Sequence, residues 1–90
     1  MAIMRLHHAN ISIPPDTEAE ARAFYCKLLG LPEIEKPDAL KLNGGFWLRL
    51  GNCDVHIGTQ ADVDRLALKM HLAYEVDDLV VWREKLEVAG

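Results

Sequence analysis

The sequence of 90 residues predicts one small α+β domain. Three features indicate this fold class: an alternating strand near the start, an amphipathic helix after it, and a two-stranded hairpin beyond the helix. Half of the residues are hydrophobic, as expected for a chain that folds around a core. A strand followed by a helix then recurs near the end, which predicts a second structural unit within the same domain, residues 1–90.

The first strand is predicted from the alternation of apolar and polar residues between positions 8 and 13. Successive side chains of a strand point to opposite faces, so this stretch has an apolar back and a polar front. The front carries the imidazole of His8, the amide of Asn10 and the hydroxyl of Ser12. Three short hydrogen-bonding groups in a row favour a concave binding face, with a plain solvated face as the alternative.

The repeat starts at His8 and again at His71, 63 residues later. In both copies an apolar residue follows five positions after the histidine, and a helix that ends before a glycine comes next. We interpret this order as an internal repeat, with chance similarity as the alternative. The first unit covers residues 1–60, and residues 69–90 begin the second.

Composition excludes several classes of partner. The net charge is −4 and the basic residues are scattered, so no nucleic-acid partner is expected. No apolar run is long enough for a membrane span and no secretion leader is recognisable, so no membrane partner is expected. Cys26 and Cys53 lack metal-type or disulfide-type spacing and read as reduced thiols, which suits a cytoplasmic protein.

The first helix is predicted to begin at a capping box formed by Thr17 and Glu20. Its apolar residues recur with helical spacing and should cover the apolar back of the first strand. Gly30 and Pro32 end the helix. A short strand is then expected over residues 39–43.

The hairpin is predicted over residues 46–50 and 53–58, joined by the two-residue turn Gly51-Asn52. That turn pairs Trp47 with His56 on one face and leaves only apolar side chains on the other. A further strand over residues 70–76 should place His71 and Glu75 on the front. Asp78 should cap the last helix.

Three of the four histidines, His8, His56 and His71, fall on the predicted front, whereas His7 should face away. Histidine is the commonest metal ligand, and imidazoles from separate strands of a curved sheet can converge on one ion. Three surface or hydrogen-bonded histidines are the alternative, and position does not choose between the two.

Several motifs recur in an order that resembles a known family. They are Ala23-Phe24-Tyr25, Leu28-Leu29-Gly30-Leu31, Gly44-Gly45-Phe46-Trp47, Val55-His56-Ile57-Gly58 and Val76-Asp77-Asp78-Leu79, together with His8 and His71. Over its whole length the chain resembles the glyoxalase/bleomycin-resistance/extradiol-dioxygenase family, also called vicinal oxygen chelate proteins.

The resemblance implies paired βαβββ modules that form a curved sheet around a cleft with a divalent metal ion. It assigns His8, His56 and His71 as ligands of Zn²⁺, Fe²⁺, Ni²⁺ or Mn²⁺, and the fourth family ligand, a glutamate, has no counterpart here. The second module is incomplete in this chain, either because the natural protein is longer or because a partner chain completes the sheet. Family members exchange modules between subunits, so a homodimer is expected.

The function implied is a metal-dependent enzyme of glyoxalase or dioxygenase type, acting on a small oxygen-rich substrate that chelates the metal. Glu75 is the candidate catalytic base or partner of a ligand, with a solvated carboxylate as the alternative. Candidate substrate contacts are Asn10, Ser12, Trp47 and Arg49; a cross-strand ion pair with Asp54 is the alternative role for Arg49. Two other functions are open: a non-catalytic small-molecule-binding protein like the bleomycin-resistance members, and a structural dimerisation module.

Overall fold

A computed structural model describes all 90 residues and shows an α+β fold built on one open, curved sheet of four strands. The strands are β1 (His8–Ile13), β2 (Glu33–Ile34), β3 (Phe46–Leu50) and β4 (Cys53–Thr59). Their order across the sheet is β1-β4-β3-β2. β1 runs parallel to β4, whereas the β4–β3 and β3–β2 pairs are antiparallel. The predicted fold class is confirmed.

The β3–β4 hairpin has the register that its turn predicts. Trp47 pairs with His56 and Leu48 pairs with Val55, so the aromatic pair and the aliphatic pair lie on opposite faces. Gly51 takes a φ of 59° at the first turn position, a conformation that costs glycine nothing. This register places the histidine of β4 away from the core.

The core lies on the apolar face of the sheet. Phe46, Leu48, Val55 and Ile57 are at most 1% exposed, and Ala21 of the first helix completes the buried cluster. The half-buried apolar residues that pack against this cluster are Ile11, Ile13, Tyr25, Cys26 and Leu31. The first helix therefore covers the apolar back of β1, as predicted.

The first helix begins as α1 (Glu18–Arg22) and continues as a π-helical segment, Ala23–Leu28. The predicted capping box is absent, because the Thr17 hydroxyl donates to the carbonyl oxygen of Pro14 at 2.7 Å instead of accepting from the helix. The Leu29 amide donates to the carbonyl oxygen of Phe24, five residues earlier, at 2.9 Å, which is the hydrogen bond of a π-helical turn.

The strand predicted over residues 39–43 is wrong. Residues Asp38–Asn43 form a 3₁₀ helix, and the edge strand β2 lies earlier, paired with β3. Lys41 bridges both Asp38, three residues before it, and Glu35, a contact that a helical turn brings within reach. Leu42 remains 98% exposed, so this stretch does not form a buried face.

The strand predicted over residues 70–76 is also wrong, since this stretch has no regular secondary structure. Strand backbone requires a hydrogen-bonding neighbour, and none of the four strands pairs with these residues. The last helix, α2 (Leu79–Ala89), forms as predicted. Asp78 caps it by accepting hydrogen bonds from the amides of Val80 and Val81 at 3.1 and 3.2 Å.

An apolar groove of about 910 Å³ separates the first helix from α2. Phe24, Leu50, Tyr74 and Trp82 are among its ten hydrophobic lining residues. Large apolar side chains of α2 stay exposed, with Leu79 at 76%. The second unit therefore consists of one irregular segment, residues 70–76, and one helix that bury little surface within the chain. No helix in the structure is long and apolar enough to span a membrane.

Candidate functional site

The candidate site lies on the front face, the side of the sheet opposite the core. The ladder aligns Asn10 of β1 and Trp47 of β3 with His56 of β4, and His8 with Asp54. Paired residues of neighbouring strands share a face, so these polar and aromatic side chains form one surface. Both the parallel β1–β4 ladder and the hairpin register are needed to bring them together.

His8, His56 and Trp47 form a three-ring column, called the ring stack below. The His56 ring lies parallel to the Trp47 indole, with centroids 3.8 Å apart and an angle of 2°. The His8 ring also stacks on the His56 ring, with centroids 4.2 Å apart and an angle of 14° between the ring planes. The predicted placement of Trp47 and His56 on one face, opposite Leu48 and Val55, is confirmed.

The surroundings of His56 favour the neutral form of its imidazole over the charged form. Burial lowers the pKa of its imidazole, the neighbouring His8 lowers it further, and the Asp54 carboxylate acts in the opposite direction. Its Nε2 atom is buried and has no hydrogen-bond partner. A buried polar nitrogen without a partner is costly in a folded protein, which marks this atom as a place where a ligand would bind.

The donor set fits half of a divalent metal site. The imidazoles of His8 and His56 stack face to face, and neutral imidazole is the form that binds transition metals. No group of three His, Cys, Asp or Glu side chains converges in ligand geometry. His71 is exposed on the irregular segment, where its Nδ1 lies 2.9 Å from the carbonyl oxygen of Lys69.

His7 was predicted to lie off the front face, and its side chain contacts His8. Its Nδ1 lies 3.1 Å from Nδ1 of His8, and the two rings meet edge to face at 5.4 Å. His7 precedes the first residue of β1, so the alternation of strand side chains does not constrain it.

The predicted substrate contacts other than Trp47 each have a neighbour within the chain. Asn10 lies over Gly58, where an added Cβ would come within 3.1 Å of the amide oxygen. The Ser12 hydroxyl donates to the Gln60 side chain at 3.0 Å. Arg49 pairs with Asp54, the alternative role that the hairpin register suggests.

Glu75 lines the apolar groove together with Tyr74 and Trp82. The structure does not bring its carboxylate to the ring stack, because residues 70–76 do not join the sheet. Of the predicted catalytic and metal residues, His8 and His56 therefore meet, whereas His71 and Glu75 lie on the irregular segment.

A polar pocket of about 320 Å³ opens beside the ring stack. Trp47, Asn10 and Ser12 line it, and so does Lys36, which the sequence did not single out. Lys36 lies in the loop between β2 and the 3₁₀ helix, outside any predicted strand or motif. Nothing in the local sequence marks it, because only the folded loop carries it to the front face.

The fold matches several solved structures. Over 99% of this chain and 72% of the other, it superposes with a TM-score of 0.89 at 34% identity on a glyoxalase family protein from Bacillus anthracis. An integron cassette protein from V. cholerae matches over 99% and 70% of the two chains, with a TM-score of 0.64 at 16% identity. For a lactoylglutathione lyase from Agrobacterium tumefaciens, the coverage is 99% and 72%, the TM-score 0.60 and the identity 14%.

The last two similarities are similarities of fold alone. No protein-family model matches the sequence, and no curated protein matches it either. The chain spans less than three quarters of the length of each of these three solved structures, in keeping with a second module that is incomplete in this chain.

Proposed function

This chain belongs to the glyoxalase family, within the vicinal oxygen chelate superfamily, and we propose that it is a metal-dependent enzyme of glyoxalase or dioxygenase type. One observation carries the proposal: the buried, unpartnered Nε2 of His56 beside the parallel ring of His8. A divalent ion at this nitrogen would satisfy it and would select the neutral imidazole that burial already favours.

In this proposal His56 holds the ion, and His8 joins it once its ring turns out of the stack, because an imidazole lone pair lies in the plane of its ring. His71 is the third ligand, delivered when the irregular segment lies against the front face. Such an ion supplies Lewis-acid activation of a carbonyl, enediolate or catecholate oxygen. Zn²⁺, Fe²⁺, Ni²⁺ and Mn²⁺ all accept imidazole ligands. Trp47 keeps the His56 ring in place by stacking, and its bulk limits the access of water to that ring.

Glu75 is the proposed general base, a role that requires the same movement of residues 70–76 as the delivery of His71. In the structure Glu75 is one of the residues that line the apolar groove. Asn10, Ser12 and Trp47 are the proposed substrate contacts, because all three line the polar pocket. Arg49 is proposed to act through its ion pair, which orients Asp54 beside the ring stack.

Metal content of the purified protein tests the proposal. Wild-type protein should retain about one divalent ion per chain after dialysis, and His8→Ala or His56→Ala should remove most of it, because each deletes a direct ligand. His71→Ala should cause a similar loss if the second unit supplies the third ligand. His7→Ala is the comparison variant and should lower the metal content less, since the His7 ring contacts His8 edge to face and does not stack on His56. Equal metal content in all four variants would remove the site.

A second function is favoured by a specific observation. Because no three ligand side chains converge within the chain, the front face also suits a binding protein that needs no metal, with Trp47 beside the ligand. In that case a small molecule binds metal-free protein as tightly as metal-loaded protein. Calorimetry with and without chelator distinguishes the two functions.

We also propose that the chain forms a homodimer in the cytoplasm. The apolar groove and the exposed apolar side chains of α2 offer surface that a second copy would bury. Cys26 and Cys53 are free thiols, as expected for a reducing compartment. Exchange of the second units between two copies is one way to cover the groove.

A further inference from the structure

The polar pocket carries an uncompensated positive charge. None of its eleven lining residues is acidic, although the chain as a whole has a net charge of −4. Lys36 is the only lysine or arginine among them. None of the five ion pairs of the chain includes Lys36.

The Lys36 ammonium has hydrogen-bonding capacity left over. It is half-buried and donates to the carbonyl oxygen of Gly44 at 2.8 Å. An ammonium group carries three N–H donors, so two stay available for a ligand. Arg65 lies beside the same pocket but is already committed, because its guanidinium donates to the carbonyl oxygens of Ser12, Gln60 and Val63.

Neutral polar groups surround this ammonium. The pocket presents the amide of Asn10, the hydroxyls of Ser12 and Thr59, and the amide of Gln60. Trp47 forms an apolar wall. One cation, several uncharged hydrogen-bonding groups and one aromatic wall together match a small organic anion better than a neutral sugar or a cation.

We propose that the polar pocket binds a small carboxylate, with one carboxylate oxygen accepting from the Lys36 ammonium and the carbon skeleton lying against Trp47. This inference rests on the proposed function, because it names the substrate class for the same front face. The volume of about 320 Å³ lies at the small end of the range for ligand pockets and admits a small carboxylate. Arg49 is the one cation among the predicted substrate contacts, and its charge is compensated by Asp54.

The test uses pyruvate as the probe and chelator-treated protein, so that its outcome does not depend on a metal ion. Binding is followed by amide NMR shifts of Gly44 and Gly58, two backbone positions that line the pocket. Wild-type protein should bind pyruvate saturably at millimolar concentration and should bind the neutral analogue pyruvamide at least about tenfold more weakly.

Lys36→Met should weaken pyruvate binding about tenfold or more, because it removes a charge-assisted hydrogen bond and keeps the length of the side chain. Lys41→Met is the matched control. It removes the same charge from a nearby lysine that pairs with Glu35 and Asp38 outside the pocket, and it should change binding less than twofold.

Three results would overturn the inference: no saturable binding to wild-type protein, equal binding of pyruvate and pyruvamide, or equal losses in the two lysine variants. Failure of metal binding with normal pyruvate binding would defeat the proposed enzyme and leave the carboxylate site standing. Normal metal binding with no effect of Lys36→Met on pyruvate binding would defeat the carboxylate site and leave the proposed enzyme standing.

Discussion

Replacing Leu48 by alanine should remove a large share of the stability of this protein. Leu48 lies at the centre of β3 with 0% of its surface exposed, packed among the other buried residues of the sheet. A buried Leu→Ala change costs about 2–5 kcal/mol, from lost burial and from the cavity left behind. Domains are stable by only about 5–15 kcal/mol, and this core contains just five buried residues.

Leu50→Ala is the matched control. Leu50 has the same residue type, strand and face as Leu48, but it lies at the strand end and is 37% exposed. Water can fill the space that its side chain leaves, so the loss should be about 1 kcal/mol. The pair of variants therefore separates burial from every other property of the strand.

Urea unfolding followed by tryptophan fluorescence measures both variants. With a slope of about 1 kcal/mol per molar urea, Leu48→Ala should lower the midpoint by roughly 2 M or more, and Leu50→Ala by roughly 1 M. Equal losses at low protein concentration would refute the reasoning. Equal losses only at high concentration would indicate that a second copy buries Leu50, which lines the apolar groove.

Three further predictions concern the turn before β3, the ring stack and the exposed second unit. Gly45→Ala should lower stability far more than Gly30→Ala in thermal melts. Both glycines have a φ near 75°, but a Cβ at position 45 would lie 2.0 Å from the carbonyl oxygen of Ile57, whereas a Cβ at position 30 would meet open space. Similar losses of stability in the two variants would contradict this reason. Stability should fall as the pH drops below about 6.5, because burial lowers the pKa of His56 and the unfolded state then binds the proton more tightly. His56→Phe should flatten that slope in unfolding curves, and an unchanged slope would exclude His56 as its source. Light scattering should detect a dimer that dissociates on dilution, and a monomer at all concentrations would defeat the proposed use of the apolar groove.

The local pattern of the sequence was sufficient for the hairpin and for the start of α2. A two-residue turn sets the pairing of both strands, so the placement of Trp47 opposite His56 follows from neighbours within about ten positions. The Asp78 cap likewise depends on amides two and three residues later. Short-range geometry of this kind does not depend on the rest of the fold.

The same local reasoning failed where a backbone partner or a loop decided the outcome. Residues 70–76 have the alternation of a strand but no neighbouring strand to bond to, so His71 and Glu75 do not join the front face. Residues 39–43 alternate too, yet they form a 3₁₀ helix in which Leu42 stays exposed. Alternation describes a possible face, and only the tertiary structure supplies the surface that covers it.

By itself, the sequence determined which side chains share a face within β1 and which share a face within the β3–β4 hairpin, because the turn chemistry and the period of two are local properties. Tertiary structure alone decided how those side chains meet: that His8, His56 and Trp47 stack, that Nε2 of His56 is left without a partner, and that Lys36 enters the polar pocket. These contacts join residues up to 48 positions apart, His8 and His56. Ring orientation, desolvation and loop position depend on packing across strands, which no short stretch of the chain encodes.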